Sequence, residues 1–264
     1  RIETLVLGSS HALYGINPDL FASRTFNAAH VSQSLDIDYA FLLHYANRFK
    51  SLKQVILPVS YFSLFTNLNN GLEKWRLSNY IIYYGFDLPH SFKDNFELTS
   101  RGFDMSLKKI YYYFFFNQKF TRLTDLGWNY TNVFSEKHNI NALDEGGKVT
   151  AKRHTVNLLL SYERDIYNRN LDILNRIASW CNQRRIKLYL FTPPAFHSYV
   201  ECLNKNQMSH TLEAVNHITE TYANAKYYNL LSSQFYTADD FFDADHLTDL
   251  GAKKLSGYMD SLTR

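Results

Sequence analysis

Cysteine is almost missing from this chain. Cys181 and Cys202 are the only two in 264 residues, too few for a disulfide framework and enough for one bridge at most. No apolar run approaches the ~20 residues that a membrane-spanning helix needs, and no signal-peptide pattern precedes the first strand-like run. Runs of lysine and arginine are missing too. With a net charge of +3 and a pI of about 8.6, nothing demands nucleic acid or an anionic membrane as a partner. Phosphate-loop and dinucleotide fingerprints are absent, which leaves NTPase and dehydrogenase readings without an anchor and no cofactor to expect. There is no His-Glu-x-x-His motif, no internal repeat and no low-complexity linker. The chain opens on Arg1 directly at a strand-like run, without Met, so a trimmed upstream signal or membrane anchor is expected.

What the chain does have is aromatic side chains, 16% of residues with 20 Tyr and 20 Phe. Rings fill cores, and they also stack on sugars. The apolar runs Ile2–Leu7, Thr25–Asn27, Val55–Leu57, Ile186–Phe191 and Tyr227–Leu231 read as strands. Between them lie helical periodicities: Leu35, Tyr39, Leu42, Leu43, Ala46, Phe49; then Tyr167, Leu171, Leu174, Ile177, Ala178, Cys181; then Leu212, Val215, Ile218, Tyr222; and last Leu255, Met259, Leu262. Pro18-Asp19 reads as a further helix start. Strands alternating with helices on short connections imply an α/β protein, three layers α/β/α, with a five-stranded parallel sheet in the order 2-1-3-4-5. The site of such a sheet lies at the carboxyl ends of its strands.

The alternation stops between about residues 64 and 155, and this stretch is expected to be an aromatic-rich, mainly helical insertion or cap within an otherwise single domain. Ser91 to Phe116 suggests one or two helices, and its run from Tyr111 to Phe116 is expected to pack on something. Gly127 to Tyr130 and Gly146-Gly147 read as loops.

Ser10 is the candidate nucleophile. The first strand breaks at Gly8-Ser9-Ser10 into small polar residues, the way a sheet delivers a hydroxyl to its edge before a helix begins. The base is at the other end of the chain, in Asp243-Ala244-Asp245-His246. Asp243 and His246 are three apart, so one loop can hold the carboxylate against one ring nitrogen while the other faces the serine. Asp245 is expected to cap the last helix or meet solvent. His11 is a weaker candidate base, because neighbouring side chains at a strand-to-helix turn diverge. A rival chemistry is metal binding by Asp239, Asp240, Asp243, Asp245 and His246; no metal is expected.

With these two pieces the chain resembles the SGNH or GDSL hydrolases, whose nucleophile follows the first strand in a Gly-Asp-Ser block and whose Asp-x-x-His block lies near the C-terminus. Gly8-Ser9-Ser10 matches the first block with Ser9 in place of Asp, and Asp243 with His246 matches the last. Asn27-Ala28-Ala29-His30-Val31-Ser32 is similar to the family's Asn-x-Gly-x-x-Gly block, with Ser32 where a glycine usually donates its backbone N–H to the oxyanion. Pro58-Val59-Ser60-Tyr61 stands where the family has Gly-x-Asn-Asp; the usual Asn is absent and Ser60 is a substitute. The likeness covers about residues 1–63 and 156–264. It implies an oxyanion hole from Ser10, Ser32 and Ser60.

His11, Asn27, Tyr61, Pro194 and His197, all at the expected carboxyl edge, are candidates for binding substrate. The Gly-Ser-Ser form is similar to the branch that modifies bacterial cell-surface polysaccharides. It therefore implies a serine-dependent esterase or O-acyltransferase on a bacterial carbohydrate, working outside the cytoplasm. The alternative is a non-catalytic glycan-binding or polysaccharide-assembly protein that keeps the fold.

Overall fold

Five short runs, most of them buried on both faces, pair side by side in a computed structural model of the chain. They are β1 (Thr4–Val6), β2 (Thr25–Asn27), β3 (Gln54–Pro58), β4 (Lys187–Thr192) and β5 (Ala225–Asn229). Every pairing is parallel and the order is β2-β1-β3-β4-β5, as the alternation of strands and helices implies. The structure describes residues 1–71, 73–96, 103–117, 122–135 and 140–264. The chain divides into two compact units, one of Arg1–Phe65 with Leu123–Arg264 and one of Thr66–Arg122.

In the first unit the sheet is sandwiched. α1 (Ser10–Gly15) packs against α9 (Asp249–Thr263) on one side, while α2 (Leu35–His44), α6 (Ser161–Gln183) and α8 (Lys205–Thr221) form the other layer. Strand side chains alternate between faces. Val6, Ile56, Tyr189 and Phe191 meet Ala12, Leu13, Leu255 and Met259 in one continuous core, and the intervening Leu5, Val55, Leu57, Leu188 and Leu190 are buried in turn. Parallel strands covered by helices on both faces lack polar alternation, which is why these runs read as unbroken apolar stretches.

Two local expectations fail. The periodicity through Phe49 suggests a longer second helix, but α2 stops at His44: Ala46 N–H turns to the Leu43 carbonyl, three residues back instead of four, and Leu43 on this stretch is exposed. Gly146-Gly147, read as a loop, lies inside α5 (Ile140–His154). The reason is close packing against the short α7 (His197–Val200). A Cβ on Gly147 would stand 2.1 Å from Ser198 Oγ, and Ser198 Oγ donates to the Leu143 carbonyl at 2.8 Å. The glycine lets two helices touch. Cys181 is buried, Cys202 is exposed, and both are free thiols.

The second unit is narrower than the expected 64–155 stretch, since residues 123–135 and 140–155 belong to the first. Leu68, Leu77, Tyr80, Phe86 and Leu88 are buried, with Tyr80 on α3 (Leu77–Ile82) stacked on Phe86 at 6.2 Å. Part of the helical expectation for 91–116 falls on residues 97–102, outside the described ones; the rest gives a short 3₁₀ turn at Phe92–Asn95 and the helix α4 (Phe103–Phe116). On α4, Tyr111, Tyr113, Phe114, Phe115 and Phe116 are all exposed.

The turn after β1 depends on a buried acid. Gly8 N–H donates to Asp38 Oδ1 at 2.8 Å, and Gln33 Nε2 donates to the same oxygen at 2.6 Å. Burial pushes the Asp38 carboxyl up to about 7 against the opposing pull of these two donors. The folded state therefore binds this proton more tightly than the unfolded chain does, so stability falls as pH rises from about 4 toward 7. Asp38→Asn keeps an acceptor for both donors and never ionises. Its melting temperature should match wild type near pH 4 and exceed it by a growing margin up to pH 8; parallel melting curves for the two proteins across this range would refute the assignment.

Candidate active site

The carboxyl edge of β1 delivers a serine. Gly8 turns the chain with φ +111°, a conformation glycine accepts without strain. A Cβ there would meet Pro58 Cγ at 2.5 Å. Ser9 and Ser10 follow, and Ser9 carbonyl closes the first turn of α1 by accepting from Ala12 and Leu13. The chain after β2 runs beside this turn, with Ala28 N–H donating to Val6 and His30 N–H to Gly8.

The loop before α9 delivers the histidine. Its base is closed by Phe241 bridging Leu247, by Phe242 N–H on the His246 carbonyl, and by Thr248 N–H on the Asp240 carbonyl. Asp240 is fixed in turn by Lys254 at 2.6 Å and by a capping box with Thr237. Thr248 caps α9, its side chain accepting from Gly251 N–H. Gly251 passes so close that a Cβ would lie 2.3 Å from the Asp240 carbonyl oxygen. Phe196 N–H ties the tip of the loop, at the Ala244 carbonyl, to the chain beyond β4.

Ser10 Oγ and His246 Nε2 are 2.8 Å apart, and His246 Nδ1 lies 2.9 and 3.0 Å from the two oxygens of Asp243. Asp243 Oδ1 also accepts the backbone N–H groups of Asp245 at 3.1 Å and His246 at 2.8 Å, a local turn that aims the carboxylate at the ring. Burial alone would lower the His246 pKa, but the Asp243 hydrogen bond and the Asp245 charge outweigh it and raise it. Hydroxyl, imidazole and carboxylate thus stand in the order that lets an imidazole take a proton from a serine.

No family model and no curated protein matches this chain. Among solved structures, one described as "a putative platelet activating factor from Streptococcus pneumonia" is similar, with 10% identity and a TM-score of 0.46 over 100% of this chain and 85% of that one. That likeness is too slight to assign a family.

Other expected site residues take different places. Asn27 is buried and its polar atoms are committed: Nδ2 donates to the carbonyls of Ala12 at 2.8 Å and Ile16 at 2.9 Å, and Oδ1 accepts from Ala29 N–H. It holds the C-terminal end of α1 rather than facing a ligand. Tyr61 is likewise buried, its hydroxyl accepting from Asn204 N–H and paired with Thr155 Oγ1 at 2.8 Å. Pro194 is buried. His197 is exposed beside Asp144 and Glu201 and lines a cleft with Phe196, Tyr236 and Phe241 that includes neither Ser10 nor His246. Ser32 carries φ +59°. Ser60 Oγ is 2.6 Å from His11 Nδ1, so its hydroxyl belongs to an internal pair.

Asp245 reverses its expectation. It neither caps α9 nor meets solvent; it is buried, with Oδ2 3.2 Å from His11 Nε2 and 3.9 Å from His154 Nδ1. His154, at the end of α5, also pairs with the Tyr199 hydroxyl at 3.0 Å. Burial pushes its pKa down to about 4, against the pull of Asp245, so it is neutral at pH 7. Sequence reasoning missed His154 because it lies in the stretch read as an insertion. The available signal for Asp245 was the surplus of one histidine and one aspartate beside a single serine. Among the described residues, His11, Asp245 and His246 bring donor atoms within 4.8 Å of one another. Their four ring nitrogens are already held by Ser60, Asp245, Asp243 and Ser10, and a cation would have to break those bonds.

Asn27→Ala should cost about 3 kcal/mol, because three hydrogen bonds go and two buried carbonyls lose a donor. A urea midpoint within error of wild type would show that Asn27 does not carry α1.

Proposed function

We propose that this protein is a serine-dependent enzyme that hydrolyses or transfers acyl esters on a bacterial carbohydrate, built on an SGNH-like fold. The observation that carries the reading is the 2.8 Å approach of Ser10 Oγ to His246 Nε2, with Asp243 on the opposite nitrogen. For Nε2 to accept the serine proton, the neutral ring must carry its own proton on Nδ1, and Asp243 favours that tautomer. Ser10 Oγ would attack the ester carbonyl as its proton passes to His246 Nε2. The imidazolium would then return that proton to the departing alkoxide oxygen, leaving Ser10 acylated. Water or a sugar hydroxyl would attack the acyl-enzyme next, giving up its proton to His246, which passes it to Ser10 Oγ as the acyl–oxygen bond breaks, restoring the free serine and the neutral ring.

The oxyanion would be received by backbone N–H groups. Ser10 is the first residue of α1, so its N–H lies outside the helical hydrogen-bond ladder. Ser32 holds the left-handed conformation that a glycine adopts easily, which supports its standing in for the family's glycine. Ser60, expected as a third donor, is engaged elsewhere: its N–H donates to Ser63 Oγ at 2.9 Å and its hydroxyl pairs with His11. The carbohydrate substrate and an extracytoplasmic location rest on the Gly8-Ser9-Ser10 likeness. No described helix is long and apolar enough to cross a membrane.

A fluorophosphonate probe should label Ser10 alone. Ser10→Ala should abolish labelling and lower turnover of p-nitrophenyl acetate or acetylated sugars by a factor on the order of 10⁶. Labelling at the buried Ser9, or none in folded protein, would remove the hydrolase reading and favour a glycan-binding protein that keeps the fold.

A further inference from the structure

Two carboxylates reach the same imidazole nitrogen from different surroundings. Asp243 lies 2.9 Å from His246 Nδ1 with its side chain 49% exposed; Asp245 Oδ1 lies 3.5 Å away with its side chain 3% exposed. Coulomb attraction varies inversely with distance and with local dielectric. The extra distance removes only about a fifth of the interaction, whereas solvent around an exposed group weakens it several-fold. We propose that the two acids divide the work: Asp243 sets the tautomer and orientation of His246, and Asp245 supplies the larger part of the charge that stabilises its imidazolium. Asp245 is then a positioning residue, acting on the reaction through His246, and the inference rests on the Ser10–His246 reading above.

The surroundings of Asp245 are built to keep a charge there. Without partners, burial would neutralise it; the hydrogen bond from His11 and the charge of His246 outweigh burial and hold it ionised, well below the usual carboxylate range. With Nε2–H of His11 donating to Asp245, Nδ1 accepts from Ser60. Ser60, His11 and Asp245 therefore repeat, fully buried, the sequence of groups in Ser10, His246 and Asp243. The two chains meet where Asp245 approaches His246, and the rings of His11 and His246 are 5.1 Å apart. The other groups acting on His246 are Tyr14 from α1, edge-on at 5.6 Å, and His154 and the positive charge of the exposed Arg153 from α5. His154 is neutral at pH 7 and brings no competing positive charge.

The test follows the His246 Cε1–H resonance through a pH titration by NMR in the full chain, identified by its loss in His246→Gln. Ser10 labelling by the fluorophosphonate is measured in parallel. Asp245→Asn should lower the His246 midpoint by about one pH unit or more, a tenfold change in the ratio of charged to neutral ring, and Asp243→Asn should lower it less. The acid limb of the labelling rate should move with it in Asp245→Asn, while Asp243→Asn mainly loses rate on the plateau. An unshifted midpoint in folded Asp245→Asn, or the opposite ranking, overturns the inference. Should Asp245→Asn fail to fold, Asp243→Asn decides alone. A midpoint still above the ordinary histidine value of about 6.5 supports Asp245, and a return to that value overturns it. The expected titrations in a protein that never labels at Ser10 would keep the electrostatic inference and remove the hydrolase.

Discussion

The hydrogen bond from Gly8 N–H to Asp38 sets the direction in which the chain leaves its central strand, and the position of Ser10 follows from it. Gly8 cannot be replaced by a residue with a Cβ, since Pro58 occupies that space and φ is positive. The turn therefore depends on a backbone donor, and its acceptor comes from α2, thirty residues away. A carboxyl is a costly choice for so buried a place, because its charged form is poorly solvated there. Its return is one oxygen that takes two donors, Gly8 from one loop and Gln33 from the next. The two loops at the carboxyl edge of β1 and β2 are fixed to each other through a single atom.

The histidine side is held differently, by backbone closure instead of a buried charge. The loop from Asp240 to Thr248 folds on itself through carbonyls and amides of its own ends, so His246 and Asp243 are pinned before any tertiary partner is considered. Tertiary contacts then orient the loop as a body: Phe241, Ala244 and Leu247 sit in the same core as Leu13 and Leu255. Rigid delivery of this kind lets groups 236 residues apart in sequence hold a 2.8 Å separation.

The architecture was legible because parallel strands buried on both faces leave unbroken apolar runs, and Leu5-Val6-Leu7 and Val55-Ile56-Leu57 are as plain as such runs become. Ser10, Asp243 and His246 were legible because each sits at a break in such a pattern or in a short motif whose spacing alone brings groups together. Asn27 and Tyr61 show the limit. Position at a sheet edge says that a side chain is near the site, but whether it faces a ligand or caps α1 depends on carbonyls that no sequence pattern displays. The same holds for Asp245. Asp243 and Asp245 lie two residues apart in one loop, and only the packing of His11 and His154 around Asp245 makes it the interior one. Gly147 misled for a related reason: a paired glycine reads as a turn, yet here it is the contact point of two helices.

The chain carries three tryptophans, Trp75, Trp128 and Trp180, and they differ in what holds them. Trp180 is buried in α6 beneath the Arg184 guanidinium, and Trp75 lies under Arg76 in the second unit. Trp128 instead donates its indole N–H to the Tyr14 carbonyl at 2.8 Å, while the next residue, Asn129, donates its backbone N–H to Leu13. Tyr14 in turn presses its ring edge-on against His246. An indole tied to the helix that begins with Ser10 is a built-in optical reporter. Its emission responds to any shift of α1, and with Trp75 and Trp180 replaced by Phe that signal would be read without a label.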